Sequence, residues 1–395
     1  MCKLFNFYKQ NLNVNKFICW FVLFQFVFIL SVNAEYLSSE IFNYTIDLPD
    51  GFYVKESNST GYFLESDFIP IEIIVNVYDN SRFGSTSECL EYCSSKLQGQ
   101  IEIEDYTWRN RQTSLGAMSF YFNNVLCESW ALAVNLPDKN KIFTIIAYTA
   151  KESDEIFKQM ILSILDSVFV DRGSYFSPGA ITTFAFPSEG QEKHTFDFNG
   201  KSYEVAFDKS DEKANNYLIE REYQILELYS QTDFWLSAWN RYYRLIYRDG
   251  YDRIKKSCFS FCSDLFVSGF GSEKPEVNYA QKVLQFVQEK EYGRSQDSTD
   301  FTDLCSTFLG KKSDCDSRSI LVAILLNQMN IKSTLFVSTE YSHAIVGAVL
   351  DKNGAKIDVA GNSYLLGETT AKVDFGLIAS NLNDTSKWIN IQLPE

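Results

Sequence analysis

Cys315 and His343 are the two residues whose types and spacing could carry covalent chemistry. A polar turn, Gly310-Lys311-Lys312-Ser313-Asp314, delivers Cys315 to the start of a strongly apolar run, and His343 opens a second apolar segment, HAIVGAVL, about thirty residues on. Asp314 suits an N-cap and Asp316 a first turn, while Ile320, Leu321, Ala323, Ile324, Leu325 and Met329 cover most of a helix surface, so a buried helix is expected. A thiol at its N-terminus faces unpaired backbone N–H groups and the positive end of the helix dipole, which both favour thiolate. The chain has only two histidines, and His194 lies in a polar stretch that reads as the approach to a hairpin, so His343 has little competition as a base. A Cys/His pair also needs an acid to orient the imidazole; Glu368, after the short apolar run YLLG, and Asp358, in KIDVAG, are the candidates. The competing reading of Cys315 is structural, most simply a disulfide to Cys305. Asp314 and Asp316 flank the thiol and would raise its pKa unless they are tied up in capping and in a pair with Arg318.

The helix-start cysteine in its Asp-Cys-Asp setting, the strand-start His-Ala, and an aromatic strand ending in an acid and Thr together resemble the transglutaminase-like cysteine enzymes. VNYAQKVLQFVQEKEYGRS is similar to the helix and tyrosine that precede the nucleophile in that family, so the resemblance spans about residues 276–380. It implies a papain-like core, with the nucleophile helix packed on an antiparallel sheet, and a Cys315-His343-acid triad. Ser313 stands where the family usually has Gly. Glu368-Thr369-Thr370 stands where it most often has Asp-Pro-Thr, which favours Glu368 over Asp358. The activity implied is acyl transfer to an amine, or hydrolysis, on a glutamine amide or peptide; an inactive binding or scaffold protein is the alternative. The expected partner is therefore a peptide or protein substrate.

The elements that must position these groups lie in an α+β chain of two parts behind a leader. Lys3, Lys9 and Lys16 precede the sixteen-residue apolar run FICWFVLFQFVFILSV, and Val32-Asn33-Ala34 offers a cleavage site, so residues 1–34 read as an export signal. The run falls short of the roughly 20 residues that span a bilayer. Export to the cell envelope or beyond, without stable membrane insertion after cleavage, is the expectation. The whole chain carries −15, and the part after the signal −18, which argues against nucleic acid as a partner. Two of the nine cysteines leave with the signal; the remaining seven are odd in number, so at least one thiol stays unpaired even if the others form disulfides.

Residues 35–172 read as an N-terminal α+β unit: strands at IFNYTIDLPDGFYV and FIPIEIIVNVYD, a short helix at CLEYCSSKL, further strands, and the closing amphipathic helix DEIFKQMILSILDSVF. Its opening Y-x-I-x-L-P-x-G-F and its closing Ser-Val-Phe resemble the PsbP and Mog1-like envelope domains, which implies a sandwich fold. It contains no histidine and no catalytic constellation. The Gly, Pro and Ser of residues 173–192 mark the domain boundary, after which 173–395 forms the second domain and folds without the first. Asn199-Gly200 is the strongest hairpin signal, and DFWLSAWNRYYRLIYRDGYDRIKKSCFSFC reads as a helix whose aromatic residues are core. No Gly-rich phosphate loop, metal-ligand spacing or repeat appears, so neither cofactor nor metal is expected.

Overall fold

The computed structural model describes residues 36–137, 140–294 and 299–393, and the export signal assigned to 1–34 lies outside the described residues. Residues 34–395 form one compact unit, of α+β class. The chain opens with the hairpin β1 (Leu37–Ser39) and β2 (Tyr44–Ile46), followed by β3 (Phe52–Ser57), β4 (Gly61–Ser66), β5 (Glu72–Asp79), helix α1 (Thr86–Lys96), β6 (Gln100–Trp108), β7 (Arg111–Phe122), β8 (Val125–Asn135), β9 (Lys141–Ala150) and helix α2 (Glu155–Asp166). β3 to β9 make an antiparallel sheet in the order β3-β4-β5-β9-β8-β7-β6. Successive side chains of a strand point to opposite faces. Phe143, Ile145 and Ala147 of β9 meet Met160, Ile161, Ile164 and Leu165 of α2, while Ile142, Ile146 and Tyr148 share a core with Leu90 and Cys93 of α1. Both faces being covered, β9 runs apolar instead of alternating. Ser85 caps α1 by accepting from the Glu88 N–H at 3.1 Å.

The Gly/Pro-rich stretch from 173 holds two short helices, α3 (Arg172–Tyr175) and α4 (Ala180–Ala185), and Ala180 and Ile181 are buried in the core of the first half. The hairpin β10 (Gln191–Phe198) and β11 (Lys201–Asp208) then turns through Asn199 and Gly200 with φ of 51° and 73°, the left-handed pair that a two-residue I′ turn requires. Helices α5 (Asp211–Tyr229), α6 (Trp235–Val267), α7 (Pro275–Gln288) and α8 (Leu304–Leu309) lead to α9 (Cys315–Gln328). Ile320 to Leu326 of α9 are fully buried, as its apolar residues require. The strands β12 (Ser333–Ser338), β13 (His343–Ala348), β14 (Lys356–Val359), β15 (Asn362–Gly367) and β16 (Ile389–Ile391) form a second antiparallel sheet in the order β14-β15-β13-β12-β16. α9 shares one core with Leu335 and Val337 of β12, Ala344 and Val346 of β13, and the face of α7 that carries Tyr279, Val283, Phe286 and Val287. The Tyr279 hydroxyl donates to the Leu325 carbonyl at 2.6 Å.

The cysteines remove the competing reading of Cys315 as half of a disulfide. All seven in the described residues are free, buried thiols, and Cys305 does not bridge to Cys315. Cys258, Cys262 and Cys305 lie in the same apolar core as α9, and Cys89, Cys93 and Cys127 share the core under α1, so packing accounts for them.

Candidate active site

Three segments converge at the N-terminus of α9. Asp314 has extended backbone, and its Oδ1 accepts from the Ser317 N–H at 3.0 Å and from the Ser317 hydroxyl, which fixes the helix start. Ser313 does not adopt the left-handed conformation, so a glycine is not needed there, and its hydroxyl instead accepts from Arg318 Nε at 3.2 Å. Cys315, the first helical residue, is 1% exposed. The chain ahead of α8 is stitched alongside this turn, with the Gly293 N–H donating to the Ser313 carbonyl at 3.0 Å.

His343 opens β13, directly after Ser342, whose φ of 47° turns the chain into the strand. Its Nε2 lies 2.8 Å from Glu368 Oε2. Glu368 follows β15, which pairs with β13 through Val346 and Gly367, and this register carries the acid to the imidazole. The second carboxylate oxygen, Oε1, accepts from the Thr370 N–H at 2.8 Å and the Thr370 hydroxyl at 2.7 Å. Burial alone would raise the Glu368 pKa, but the contacts with His343 and Thr370 outweigh it and hold the carboxyl below its ordinary range. Trp388 stands beside the ring, its centroid 6.2 Å from that of His343. With Nε2 committed to Glu368, Nδ1 is the nitrogen left for the thiol.

Among the described residues no hydrogen bond joins Cys315 Sγ to the imidazole. The sulfur is met instead by the backbone N–H of Ala344, next to His343, and by Arg294 Nη2 at 3.8 Å. Burial, then Asp316, then Asp314 push the thiol pKa up to about 12, against the opposing pull of Ala344 and Arg294. The two aspartates are themselves held above the carboxylate range, Asp314 chiefly by burial and Asp316 by burial and by the neighbouring Asp314 and Asp300. Asp314 Oδ2 is buried with no donor. Asp314, Cys315 and Asp316 place ligand atoms within 4.8 Å of one another. They are three consecutive residues with no imidazole in the group, and they act here as the electrostatic surroundings of the thiol.

Arg318 does not pair with either aspartate, contrary to the sequence expectation. Its bonds go to Ser313 Oγ, to the Thr369 carbonyl at 3.2 Å and to the Lys290 carbonyl at 2.8 Å, and so tie the loop that carries Glu368 to α9. Asp358 is exposed on the edge strand β14, separated from β13 by β15. His194 sits in β10 opposite Val205, in a different sheet. Arg294 was not singled out from the sequence; it ends the polar run EKEYGR, where no periodicity marks an arginine as facing inward.

No family model matches the chain, and no curated protein matches it. Among solved structures, the Ran-binding protein Mog1p of Saccharomyces cerevisiae aligns over 35% of this chain and 95% of its own, at 12% identity and a TM-score of 0.27. LpqN of Mycobacterium tuberculosis, described as involved in cell envelope biogenesis, aligns over 32% of this chain and 81% of its own, at 14% identity and a TM-score of 0.24. A protein of Bacteroides thetaiotaomicron covers 84% of this chain and 88% of its own, at 8% identity and a TM-score of 0.25. At TM-scores this far below 0.5, the likenesses say nothing about chemistry.

Proposed function

We propose that the chain is an exported cysteine enzyme of transglutaminase-like type, whose second half has a papain-like core and whose Cys315, His343 and Glu368 carry out acyl transfer or hydrolysis on a glutamine or peptide amide. The observation that carries this reading is the 2.8 Å contact between His343 Nε2 and a Glu368 carboxylate whose other oxygen is locked by Thr370. A buried acid fixed from behind, with an imidazole in front and a helix-start thiol adjoining the same strand, is the arrangement that nucleophilic acyl transfer needs. In the first step the Cys315 proton passes to His343 and the thiolate attacks the amide carbonyl, with the Cys315 backbone N–H helping to hold the oxyanion. His343 then gives that proton to the departing amine or ammonia, leaving a thioester on Sγ. Water or a second amine, deprotonated by His343, resolves the thioester to acid or to a new amide.

A second reading is favoured by a specific observation. No hydrogen bond joins Cys315 Sγ to His343 among the described residues, and burial with Asp316 and Asp314 alongside favours the protonated thiol, which fits a binding or scaffold protein that has kept the three residues without activity. Incubation of the protein with glutamine-containing peptides and hydroxylamine separates the two. The enzyme reading expects peptide hydroxamate with release of ammonia, abolished by Cys315→Ala and by His343→Ala. Hydroxamate formation that survives Cys315→Ala, or none above background, would count for the scaffold.

A further inference from the structure

Among the described residues, two carboxyl groups and two guanidinium groups outside the triad act on the thiol. From α9, Asp314 and Asp316 face it; from β13, His343 adjoins it; from α6, Tyr243 lies behind Asp316; and from the segment ahead of α8 come Tyr292, Asp300 and Arg294. Arg318 of α9 also acts on the thiol, but its hydrogen bonds go to Ser313 Oγ and to the Thr369 and Lys290 carbonyls, whereas Arg294 donates toward the sulfur itself. Its Nη2 is 3.8 Å from Cys315 Sγ and donates to the Ser342 carbonyl at 2.8 Å. Ser342 immediately precedes His343 and holds a left-handed φ of 47°. Arg294 Nε donates to the Tyr292 hydroxyl at 3.3 Å, and Asp300 stands 3.6 Å away, so the head group is held from two sides. Its side chain remains 44% exposed, which leaves the guanidinium at the mouth of the site beside the buried sulfur.

We propose that Arg294 is a catalytic residue of this site: its guanidinium supplies the fixed positive charge for the Cys315 thiolate, and its bond to the Ser342 carbonyl holds the start of the His343 strand against the nucleophile helix. The inference rests on the reading of Cys315 as a nucleophile. When the thiol proton passes to His343, an Arg294 N–H is already aimed at the sulfur that becomes anionic, and no side chain has to enter the site to meet the charge. Without Arg294, the helix N-terminus, the imidazolium and an Arg318 bonded to backbone carbonyls would have to hold the thiolate beside Asp314 and Asp316. Arginine suits the position better than lysine because one planar group must reach the sulfur and the carbonyl at once.

The test is the pH profile of Cys315 alkylation by iodoacetamide, a neutral reagent, followed by peptide mapping in the full chain, its Arg294→Gln and Arg294→Lys variants, and His343→Ala. Arg294 lies at the surface, so each variant is expected to keep the far-UV spectrum and melting temperature of the parent. The proposal expects Arg294→Gln to move the profile midpoint upward by about one pH unit and to slow alkylation at neutral pH about tenfold, one unit being a tenfold change in thiolate. Arg294→Lys should recover most of the midpoint, since the charge remains. A role confined to packing would change melting but leave the midpoint where it was. If Arg294→Gln keeps the parent midpoint while His343→Ala shifts it, the nucleophile reading stands and the Arg294 assignment is overturned. If the parent midpoint lies near that of an unfolded thiol and His343→Ala leaves it unmoved, the reading beneath both is overturned.

Discussion

Two buried charged clusters in this protein are built on opposite terms. Where the first half meets α5 and α6, Asp47 takes two bonds from Arg244, at 2.7 and 2.9 Å, and its carbonyl takes Arg241 Nε at 3.0 Å. Arg241 also reaches Glu222 and Ser163, both at 2.9 Å, Arg221 joins Asp166 and Glu222 at 2.8 Å each, and Arg248 donates to the carbonyls of Ser167 and Tyr175. Every acid there has a cation against it. At the start of α9, Asp314 and Asp316 lie against each other, and Arg318, the buried arginine nearest in sequence, gives its hydrogen bonds to Ser313 Oγ and to backbone carbonyls instead of to a carboxylate. The first cluster spends its charges on holding two cores in register. The second keeps its charges unmatched, which costs stability and leaves a thiol whose protonation can be changed; perturbed groups of that kind gather at working sites.

Substitution in the matched cluster should cost the most. Asp47→Ala removes the carboxylate that takes two bonds from buried Arg244, and loss of about 3–5 kcal/mol is expected in urea unfolding. The same network predicts that both halves unfold in one transition, because a chain cut at residue 173 would separate Arg221, Arg241 and Arg244 from Asp166, Ser163 and Asp47. A loss well under 1 kcal/mol, or a second half that melts unchanged, would remove the contrast.

Next in size, Glu368→Gln should keep the fold and lower Cys315-dependent turnover by about a hundredfold or more, the lower end of what a lost acid/base partner costs. Asp358→Asn on the exposed edge strand should leave turnover within twofold. The reverse ranking would move the third member of the triad.

The smallest expected effect tests the unmatched charges. The folded Asp316 carboxyl is held well above its ordinary range, so its ionisation is disfavoured in the fold, and the associated stability is full at low pH and lost as pH rises through the folded value. Asp316→Asn cannot ionise. It should be slightly more stable than the parent at alkaline pH, and it should alkylate faster there, because the carboxylate that forms in the parent as pH rises, and that raises the Cys315 pKa, is absent. Slower alkylation in this variant would show that Asp316 assists the thiol.

Much of the site was legible from local signals. An N-cap ahead of a wholly apolar run placed Cys315 at a helix start; scarcity singled out His343; and an acid closing an apolar strand placed Glu368 one strand away. These depend on neighbours in sequence. Arg294 and Arg318 were missed or misdirected because their partners are backbone carbonyls of Ser342, Thr369 and Lys290, which have no residue type to read. The ion pairs between the halves escaped for a related reason: Asp47 and Arg244 are far apart in sequence, and Arg241, Arg244 and Arg248, three and four residues apart on α6, read like a solvated face. The composition change at 173–192 was real, yet Ala180 and Ile181 of that stretch pack into the first core.

A nucleophilic Cys315 must react ahead of its fellow thiols. All seven thiols in the described residues are free and buried, so they compete on equal terms of access. Limiting labelling of the folded protein with a peptide-derived electrophile at neutral pH, followed by peptide mapping, should place the label on Cys315 alone and lose it in His343→Ala. Label spread over Cys89, Cys127, Cys258 and Cys315 alike, or unchanged in His343→Ala, would contradict the account.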